Sequence, residues 1–329
     1  MLRSLINLFY YLLISIGLFS FSLILVYFKK PDYNKDFAGL VQRDFILPFK
    51  ITSPESTLRM PKKLKEISGI SYYKGKIIAI NDERADLYVI DMISGDIEQV
   101  IDFGKKDDYE AITHKGDVAY VAESNGNIKE IDLSSGKKIG EYKTDLKKKN
   151  NVEGMFYDHK HDQLIMACKG KTKKKSKKNT KGLYAFNLKT KDKKTSLVKE
   201  FRINHADTNL IKLNMISNVL VDLNTNSRLS SFAPSGIDID PLTQDRYMVS
   251  NNGKLLVVTD SLYDLRGIYF LPRQLYGQPE GLCFDDMGGL YISNEARSTS
   301  ANIKYFPRQN VEPTEEANPI KDIIEKLKH

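Results

Sequence analysis

A short pattern of residues recurs along most of this chain at a nearly constant interval, and it constrains the fold more than any other feature. In its clearest copy, between Asp108 and Gly136, three short apolar runs are separated by turn residues, which is typical of an antiparallel β-meander. One meander cannot bury both of its faces, so the copies must pack against one another. The small residues that open successive copies are Gly69, Ala111, Gly154, Gly236 and Gly281.

The spacing of these small residues predicts a β-propeller. They lie 42, 43, 82 and 45 residues apart, and 82 is almost two periods of 41. A period of about 40–45 residues with four strands per copy is typical of propeller blades. Counting the long interval twice predicts an all-β fold, a six-bladed β-propeller with four antiparallel strands per blade, over residues 46–307. The alternative, turns spaced by coincidence in a β-sandwich, does not explain why three features recur in phase.

Two regions of the repeat are irregular. The stretch from Thr195 to Ala233 lacks clear turns between strands, and it fits either a divergent fourth blade or a blade with a helical insertion. The last copy ends after its third strand, at Phe306, while an extended stretch precedes Gly69. We therefore predict that an N-terminal strand completes the last blade, because this would close the ring and remove an open sheet edge.

The N-terminus predicts a membrane anchor within residues 1–30. Leu8 to Phe28 is a run of 21 residues without a charge, and as a helix it would be about 31 Å long, which matches a bilayer core of about 30 Å. No cleavage site of the A-x-A type follows it, so an uncleaved signal anchor is favoured over a signal peptide. Residues 31–45 are predicted to be a tether, and residues 308–329 a tail with a short helix.

The net charge of +8 is concentrated in one loop. The run from Lys169 to Lys181 carries eight lysines and no acid, which equals the whole excess. The run lies between the predicted second and third strands of the third blade, so a solvated hairpin insertion is the simplest interpretation. Contact with an anionic surface is the alternative. Nucleic acid is not favoured as a partner, because no aromatic residue interrupts the lysines to stack on bases.

Common catalytic signatures are absent from the sequence. It contains no P-loop, dinucleotide fingerprint, H-E-x-x-H, G-x-S-x-G or C-x-x-C motif. His159 and His161 form a close pair, but they fall in a predicted turn. Cys168 and Cys283 lie in blades on opposite sides of the predicted ring, so we expect no disulfide between them.

Acidic residues occur in phase at the start of the repeats. Glu110, Glu153 and Glu280 each precede the small residue of their copy, and Ser68 and Ser235 occupy the same place in two other copies. Equivalent positions form rings around a propeller axis, and converging carboxylates repel unless something cationic or protonated lies between them. Oxygen ligands suit a hard cation, so the three glutamates are predicted to bind Ca²⁺, with Mg²⁺ second. The alternative is that these acids join the blades through backbone hydrogen bonds.

The ends of the predicted second strands carry further polar residues in phase. They are expected to form the rim of a pocket above the glutamates, in which two kinds of role are predicted. The candidate ligand-binding residues are Asn125, Asn251, Asn294 and Glu295. The candidate general bases toward a metal-bound water are Asp82, Glu83 and Glu123.

Four motifs occur in order along the chain: LKEISGI at 64–70, INDE at 80–83, DYEAI at 108–112 and PEGL at 279–282. Together they resemble the SdiA-regulated (YjiK-like) family of exported bacterial β-propellers. The family is similar in fold to calcium-dependent propellers such as phytases, to NHL-repeat proteins and to lactonase-like hydrolases. The resemblance implies export and a propeller fold, but it implies no particular activity. The lysine-rich insertion and Ala111 depart from the family pattern.

The resemblance also bears on membrane orientation. Lys29, Lys30, Lys35 and Arg43 follow the apolar span, whereas only Arg3 precedes it. The positive-inside rule would therefore place the propeller in the cytoplasm. Because the family is exported, we expect the propeller to face the periplasm or exterior of the inner (plasma) membrane, and the cytoplasmic orientation stays open.

These observations favour a binding function. We expect a membrane-anchored, exported propeller that acts as a binding or scaffolding module with a central structural Ca²⁺. The alternative is a Ca²⁺-dependent hydrolase of a phosphoester or lactone, in which the three glutamates hold the ion. The sequence leaves open whether the protein is an enzyme, because no nucleophile or well-placed histidine is evident.

Overall fold

A computed structural model describes residues 45–173, 179–203, 227–297 and 300–310. The predicted anchor at Leu8–Phe28, most of the tether and the predicted tail helix lie outside these residues. Among the residues that are described, no helix is long and apolar enough to cross a membrane. The described part also includes a 3₁₀ helix at Lys62–Leu64 and a helical turn at 227–230.

In the described residues, twenty strands form five antiparallel sheets of four strands each. Blade one contains β2 (Ile67–Tyr73), β3 (Lys76–Asn81), β4 (Arg84–Asp91) and β5 (Ile97–Asp102). Blade two contains β6 (Tyr109–Lys115), β7 (Val118–Glu123), β8 (Ile128–Asp132) and β9 (Lys137–Tyr142). Blade three contains β10 (Val152–Asp158), β11 (Gln163–Cys168), β12 (Lys181–Asn187) and β13 (Ser196–Phe201). Blade four contains β14 (Gly236–Ile239), β15 (Arg246–Ser250), β16 (Leu255–Thr259) and β17 (Leu265–Phe270). Blade five contains β18 (Pro279–Phe284), β19 (Leu290–Asn294), β20 (Asn302–Phe306) and β1 (Ser56–Arg59).

The first strand of each blade lies at the axis, where small residues allow the strands to approach closely. A Cβ atom on Gly236 would lie 2.7 Å from the carbonyl oxygen of Glu280, and one on Gly281 would lie 3.0 Å from the amide nitrogen of Ile70. These distances leave no room for a side chain. The small residue that opens each repeat is therefore required by the packing of one blade against the next.

The prediction of six blades is wrong, because the structure closes with five. A Cβ atom on Gly154 would lie 3.0 Å from the amide nitrogen of Ile237, so the third and fourth blades are direct neighbours. Of the interval of 82 residues between Gly154 and Gly236, the described part holds the rest of blade three and the helical turn at 227–230, and residues 204–226 lie outside the described residues. Nearly two periods of sequence thus separate the inner strands of two adjacent blades.

The predicted closure of the ring by an N-terminal strand is confirmed. β1 pairs with β20 in antiparallel register, so that Ser56 lies opposite Tyr305 and Arg59 opposite Asn302. The segment before β1 also packs on the propeller, since Ile51 is buried in the core between blades four and five and its carbonyl accepts a 2.7 Å hydrogen bond from Tyr276 Oη.

The hydrophobic cores lie between adjacent blades. Ile78 and Leu87 of blade one, for example, pack against Val121 and Ile131 of blade two, and all four side chains are fully buried. Burial on both faces explains why the inner strands read as continuous apolar runs rather than as alternating ones. Both cysteines are buried and free.

Candidate functional site

β-bulges lie at the polar residue that precedes the small residue of the repeat. The pairing register shifts at the start of the inner strand in four of the five blades. A bulge inserts one unpaired residue and re-aims its side chain. The residues within or beside these bulges are Ser68, Glu110, Glu153 and Glu280. We refer to Glu110, Glu153 and Glu280 as the carboxylate ring.

The serines at the same position join neighbouring blades. Ser68 Oγ donates a 2.8 Å hydrogen bond to the carbonyl of Tyr109 in blade two, and Ser235 Oγ donates one of 2.8 Å to the carbonyl of Pro279 in blade five. The position therefore serves a structural role where it is serine. Where it is glutamate, a buried ionisable group is brought to the axis instead.

Lys169 supplies a cation to the carboxylate ring. Its Nζ lies 2.8 Å from Glu153 Oε2, and Glu153 Oε1 accepts a 2.6 Å hydrogen bond from Asn151 Nδ2. Burial disfavours the charged form of Lys169, but Glu153, Glu280 and Glu110 together raise its pKa. Burial also raises the pKa of Glu153, against the opposing effect of Lys169.

Glu110 is neutralised by a proton. Burial, followed by the nearby charges of Glu153 and Asp108, raises the pKa of Glu110 to about 10, so its carboxyl group is protonated at neutral pH. Convergent carboxylates require a cation or a proton between them, and this chain contains both. Lys169 and the proton on Glu110 together meet the requirement.

A hydrogen-bonded chain continues from the ring into blade four. Lys254 Nζ donates to Asn251 Oδ1 and, at 2.7 Å, to the carbonyl of Gly277, while Asn251 Nδ2 donates at 2.7 Å to Glu280 Oε1. Burial raises the pKa of Glu280 to about 7, and burial together with Arg297 lowers the pKa of Lys254 to about 8. An acid and a base that both titrate near neutral pH are thus linked through one amide.

Positive charge accumulates beside this chain. Besides burial and Arg297, two further arginines, Arg273 and Arg228, lower the pKa of Lys254. Arg228 is held by hydrogen bonds to the carbonyls of Gly253 (2.6 Å) and Lys254 (2.9 Å), whereas Arg273 and Arg297 are exposed.

The carboxylate ring does not offer Ca²⁺ a free set of ligands. Ca²⁺ takes six to eight oxygens, but both oxygens of Glu153 and one of Glu280 already accept hydrogen bonds. The cavity at the axis beside Glu110 and Glu153 measures about 10 Å³, the space of about one water. Among the described residues, no three acidic, histidine or cysteine side chains are grouped as a metal site. The residues fit Ca²⁺ only if Lys169 is displaced.

Two of the predicted pocket residues stabilise the loop of blade two. Glu123 is buried and accepts hydrogen bonds from Asn125 Nδ2 (2.8 Å) and Asn127 Nδ2 (2.9 Å), and Lys129 Nζ lies 2.9 Å away. Burial alone would raise the pKa of Glu123, but these donors lower it. Its carboxylate oxygens are therefore engaged within the loop.

The remaining predicted residues lie at the junction of blades one and five. Burial, and then the charges of Glu66 and Glu295, raise the pKa of Asp82 to about 6. Asp82 Oδ1 and Asn294 Oδ1 are buried and have no hydrogen-bond partner among the described residues. Glu83 is exposed, and its backbone amide donates to Asn81 Oδ1 at 3.0 Å. Of the predicted general bases, Asp82 best retains a free, perturbed carboxylate.

Sequence reasoning missed Lys169 and Lys254. Lys169 directly follows the second strand of blade three, in phase with Asp82 and Glu295, but its place in a lysine run concealed it. Lys173 and Lys181 of that run are also engaged, with Asp145 and with the carbonyl of Lys169.

Comparison with known proteins supports this architecture. The model of a family described as SdiA-regulated matches residues 55–298, and comparison with curated proteins found no match. Similar solved structures include Myxococcus xanthus glutaminyl cyclase, with 9% identity over 79% of this chain and 97% of that chain at a TM-score of 0.52. A chain of a nidogen/laminin complex has 11% identity over 69% of this chain and 72% of that chain, at a TM-score of 0.42. At such identities, the likeness to the cyclase shows the fold alone.

Proposed function

The chain belongs to the SdiA-regulated family, and we propose that it acts as a binding module that recognises a small anionic ligand at the mouth beside the carboxylate ring. The observation that carries this proposal is that the Arg228 guanidinium lies on the carbonyls of Gly253 and Lys254, and that Arg297, Arg273 and Arg228 each lower the pKa of Lys254 electrostatically. Like charges held close together disfavour the charged form of each, so an anion would relieve their repulsion. The exposed guanidinium groups of Arg273 and Arg297 suit a carboxylate or phosphate.

Titration calorimetry of the full-length protein in detergent tests this proposal. Inorganic phosphate and citrate serve as probes, and we expect at least one to bind saturably. The double variant Arg273→Gln/Arg297→Gln should weaken that binding by about tenfold or more, because charge-assisted bonds contribute about 1.5–3 kcal/mol each. Arg59→Gln, an exposed arginine on β1, is the matched control. Absence of saturable binding, or equal binding by the double variant, would refute the anion site.

The alternative is an enzyme that uses the same groups. Protonated Glu110, together with Glu280 and Lys254, offers an acid and bases whose pKa values suit proton transfer near neutral pH. A panel of substrates, assayed with and without Ca²⁺, tests this alternative. Phosphoesters and lactones test the predicted hydrolase, and peptides with N-terminal glutamine test the reaction for which the similar cyclase is named. Activity that Glu110→Gln leaves unchanged would exclude this site.

A central Ca²⁺ remains a separate proposal. Because Lys169 holds the cation position beside Glu153, Ca²⁺ should compete with its ammonium group. If the carboxylate ring binds Ca²⁺, the ion should raise the melting temperature, and should raise it further in Lys169→Met. Equal melting temperatures in Ca²⁺ and in chelator, in both proteins, would exclude the ion.

We also propose that Leu8–Phe28 anchors the protein in the inner (plasma) membrane with the propeller outside. We propose that the lysine run from Lys169 to Lys181 then contacts an anionic surface, although Lys169, Lys173 and Lys181 are themselves engaged within the propeller. Protease added to intact spheroplasts should cleave within this run. Resistance that disappears on lysis would instead place the propeller in the cytoplasm.

A further inference from the structure

The propeller axis ends, on the face opposite the carboxylate ring, in a pocket of about 360 Å³. The carboxyl-terminal ends of all five inner strands contribute to it. A volume of this size lies within the range of small-molecule sites, about 300–1,000 Å³. We call it the tyrosine pocket, and the residues used below are Tyr72, Tyr73, Tyr157, Asp238, Asp285 and Asp286.

The acidic side chains of the tyrosine pocket lack cationic partners. Asp238, Asp285 and Asp286 form no ion pair with any residue in the described parts of the chain. The basic side chains in the lining already have partners. Lys74 pairs with Asp117, and the ring nitrogens of His114 lie 2.6 and 3.1 Å from two backbone carbonyls. The pocket therefore has an excess of negative charge.

Asp238 brings a desolvated carboxyl group to this pocket. Its Oδ1 accepts a hydrogen bond from the amide of Ile239 (2.8 Å) and its Oδ2 one from the amide of Phe284 (3.1 Å). Even so, burial raises the pKa of Asp238 to about 7, with a smaller contribution from Asp240. Two backbone donors thus do not compensate for its desolvation, and a bound cation would favour the ionised form.

The aromatic rings indicate what kind of cation fits. The chain's own ammonium groups already lie over two of them, Lys74 Nζ at 5.2 Å from the centroid of Tyr73 and Lys115 Nζ at 5.5 Å from that of Tyr157. Ring faces attract ammonium groups at such distances. A metal ion fits less well, because both oxygens of Asp238 accept amide hydrogens, and Asp285 Oδ1 accepts those of Met287 and Gly289.

From this geometry we infer that the tyrosine pocket is a binding site for a small organic ammonium ion, such as an aliphatic diamine. Asp238, Asp285 and Asp286 would compensate its charge, and Tyr72, Tyr73 and Tyr157 would contact its methylene and ammonium groups. The site is independent of the anion site proposed beside Lys254, because it lies at the other end of the axis and shares no residue with it.

Calorimetry of the full-length protein in detergent tests this inference, with putrescine as the probe and butane-1,4-diol as its uncharged isostere. We expect saturable binding of putrescine and none of the diol. Asp286 is exposed, so Asp286→Asn should fold normally and should weaken putrescine binding by about fivefold, the upper range for an exposed charge pair. Asp192→Asn, an exposed acid on the turn before β13, is the control and should bind as the wild type does.

A second pair of variants tests the aromatic contribution. Tyr72→Leu should weaken putrescine binding by about threefold, as expected for loss of one cation–π contact, whereas Tyr72→Phe keeps the ring and should bind nearly as the wild type does. The inference is overturned if putrescine does not bind, if the diol binds equally well, or if Asp286→Asn and Asp192→Asn behave alike.

Discussion

The two ends of the propeller axis are built from the same five strands, yet negative charge is compensated within the chain at one end and left uncompensated at the other. At the start of the strands, the carboxylate ring is compensated within the chain, by Lys169 and by the proton on Glu110. At their ends, the tyrosine pocket keeps Asp238, Asp285 and Asp286 without a cation from the described residues. The first end leaves about 10 Å³ of free space and the second about 360 Å³.

The difference follows from local backbone geometry. Small residues and β-bulges bring the strand starts so close together that a Cβ atom on Gly236 or Gly281 would collide with the next blade. Charges forced together at that distance must be neutralised as the protein folds. At the other end each inner strand pairs regularly up to its turn, without a bulge, and Tyr72, Tyr73 and Tyr157 line the opening. That end can remain open and charged, as a ligand site requires.

The largest expected effect comes from breaking the close approach at the carboxylate ring. In Gly236→Ala the new methyl group would lie 2.7 Å from the backbone oxygen of Glu280, which neither blade can avoid without moving. We expect a loss of about 5 kcal/mol in the free energy of unfolding, at the upper end for single substitutions. Urea denaturation measures this loss.

The control for this substitution is Gly277→Ala. A Cβ atom on Gly277 would meet no atom within 4 Å, so this variant should unfold within about 0.5 kcal/mol of the wild type. Similar losses in the two variants would show that the close approach at the axis does not stabilise the ring.

The second prediction removes the internal cation. Lys169→Met leaves Glu153 buried beside Glu110 and Glu280 without its ion-pair partner, so we expect a loss of about 4 kcal/mol at pH 8. The pKa of Glu153, already raised by burial, should rise further. An acid whose folded pKa is raised contributes stability at low pH that is lost as the pH rises through that pKa. The variant should therefore lose less stability at pH 5 than at pH 8.

A double variant separates charge from packing. Adding Glu153→Gln to Lys169→Met removes the unpaired charge while keeping the size of both side chains. The double variant should recover most of the lost stability at pH 8. A double variant as unstable as Lys169→Met would mean that the lysine stabilises the fold through packing rather than through its charge.

The sequence predicted the repeat well because its signals are local. The small residue near the start of each inner strand is a steric requirement of the axis, and the incomplete copies at the two ends predicted the pairing of β1 with β20. The predicted number of blades was wrong because it was taken from the spacing between Gly154 and Gly236, which gives only the number of residues between two inner strands. Chain length does not distinguish a further blade from an insertion, whereas the contact of Gly154 with Ile237 does.

The candidate sites were harder to predict, because they depend on which side chains meet across blades. The glutamates were predicted from their shared position in the repeat, and so was the need to neutralise their charge. Lys169 was not predicted to lie beside them, because a run of eight lysines resembles a solvated loop. The tyrosine pocket was missed for a different reason. Tyr72, His114, Tyr157 and Phe284 each lie three residues after the small residue of their repeat, but they do not share one type of side chain, so the position gave no chemical signal.

The third prediction concerns the protonation of Glu280 in the carboxylate ring. Burial raises the pKa of Glu280 from about 4.5 to about 7, so the folded protein binds its proton more tightly than the unfolded chain does. The resulting stability is fully present below about pH 4.5 and is lost as the pH rises through 7. Relative to Glu280→Gln, the wild type should lose at most about 3 kcal/mol between pH 4.5 and 8.

Denaturation curves at several pH values check this difference. Glu55→Gln, an exposed glutamate before β1, is the control and should follow the wild-type pH dependence. A constant difference between the wild type and Glu280→Gln would show that Glu280 has no raised pKa, and with it that the ring is not an electrostatically strained site.

The smallest expected effect concerns the rim of the tyrosine pocket. Asp117 pairs with Lys74 and accepts a 2.6 Å hydrogen bond from Tyr73 Oη, but the pair is exposed, so Asp117→Asn should change the free energy of unfolding by less than about 1 kcal/mol. It would, however, leave the ammonium of Lys74 uncompensated beside the pocket. Putrescine binding should therefore weaken by about twofold, whereas citrate or phosphate binding at the opposite mouth should not change. Stronger putrescine binding by Asp117→Asn would contradict the inferred excess of negative charge, because it would mean that added positive charge favours the ligand.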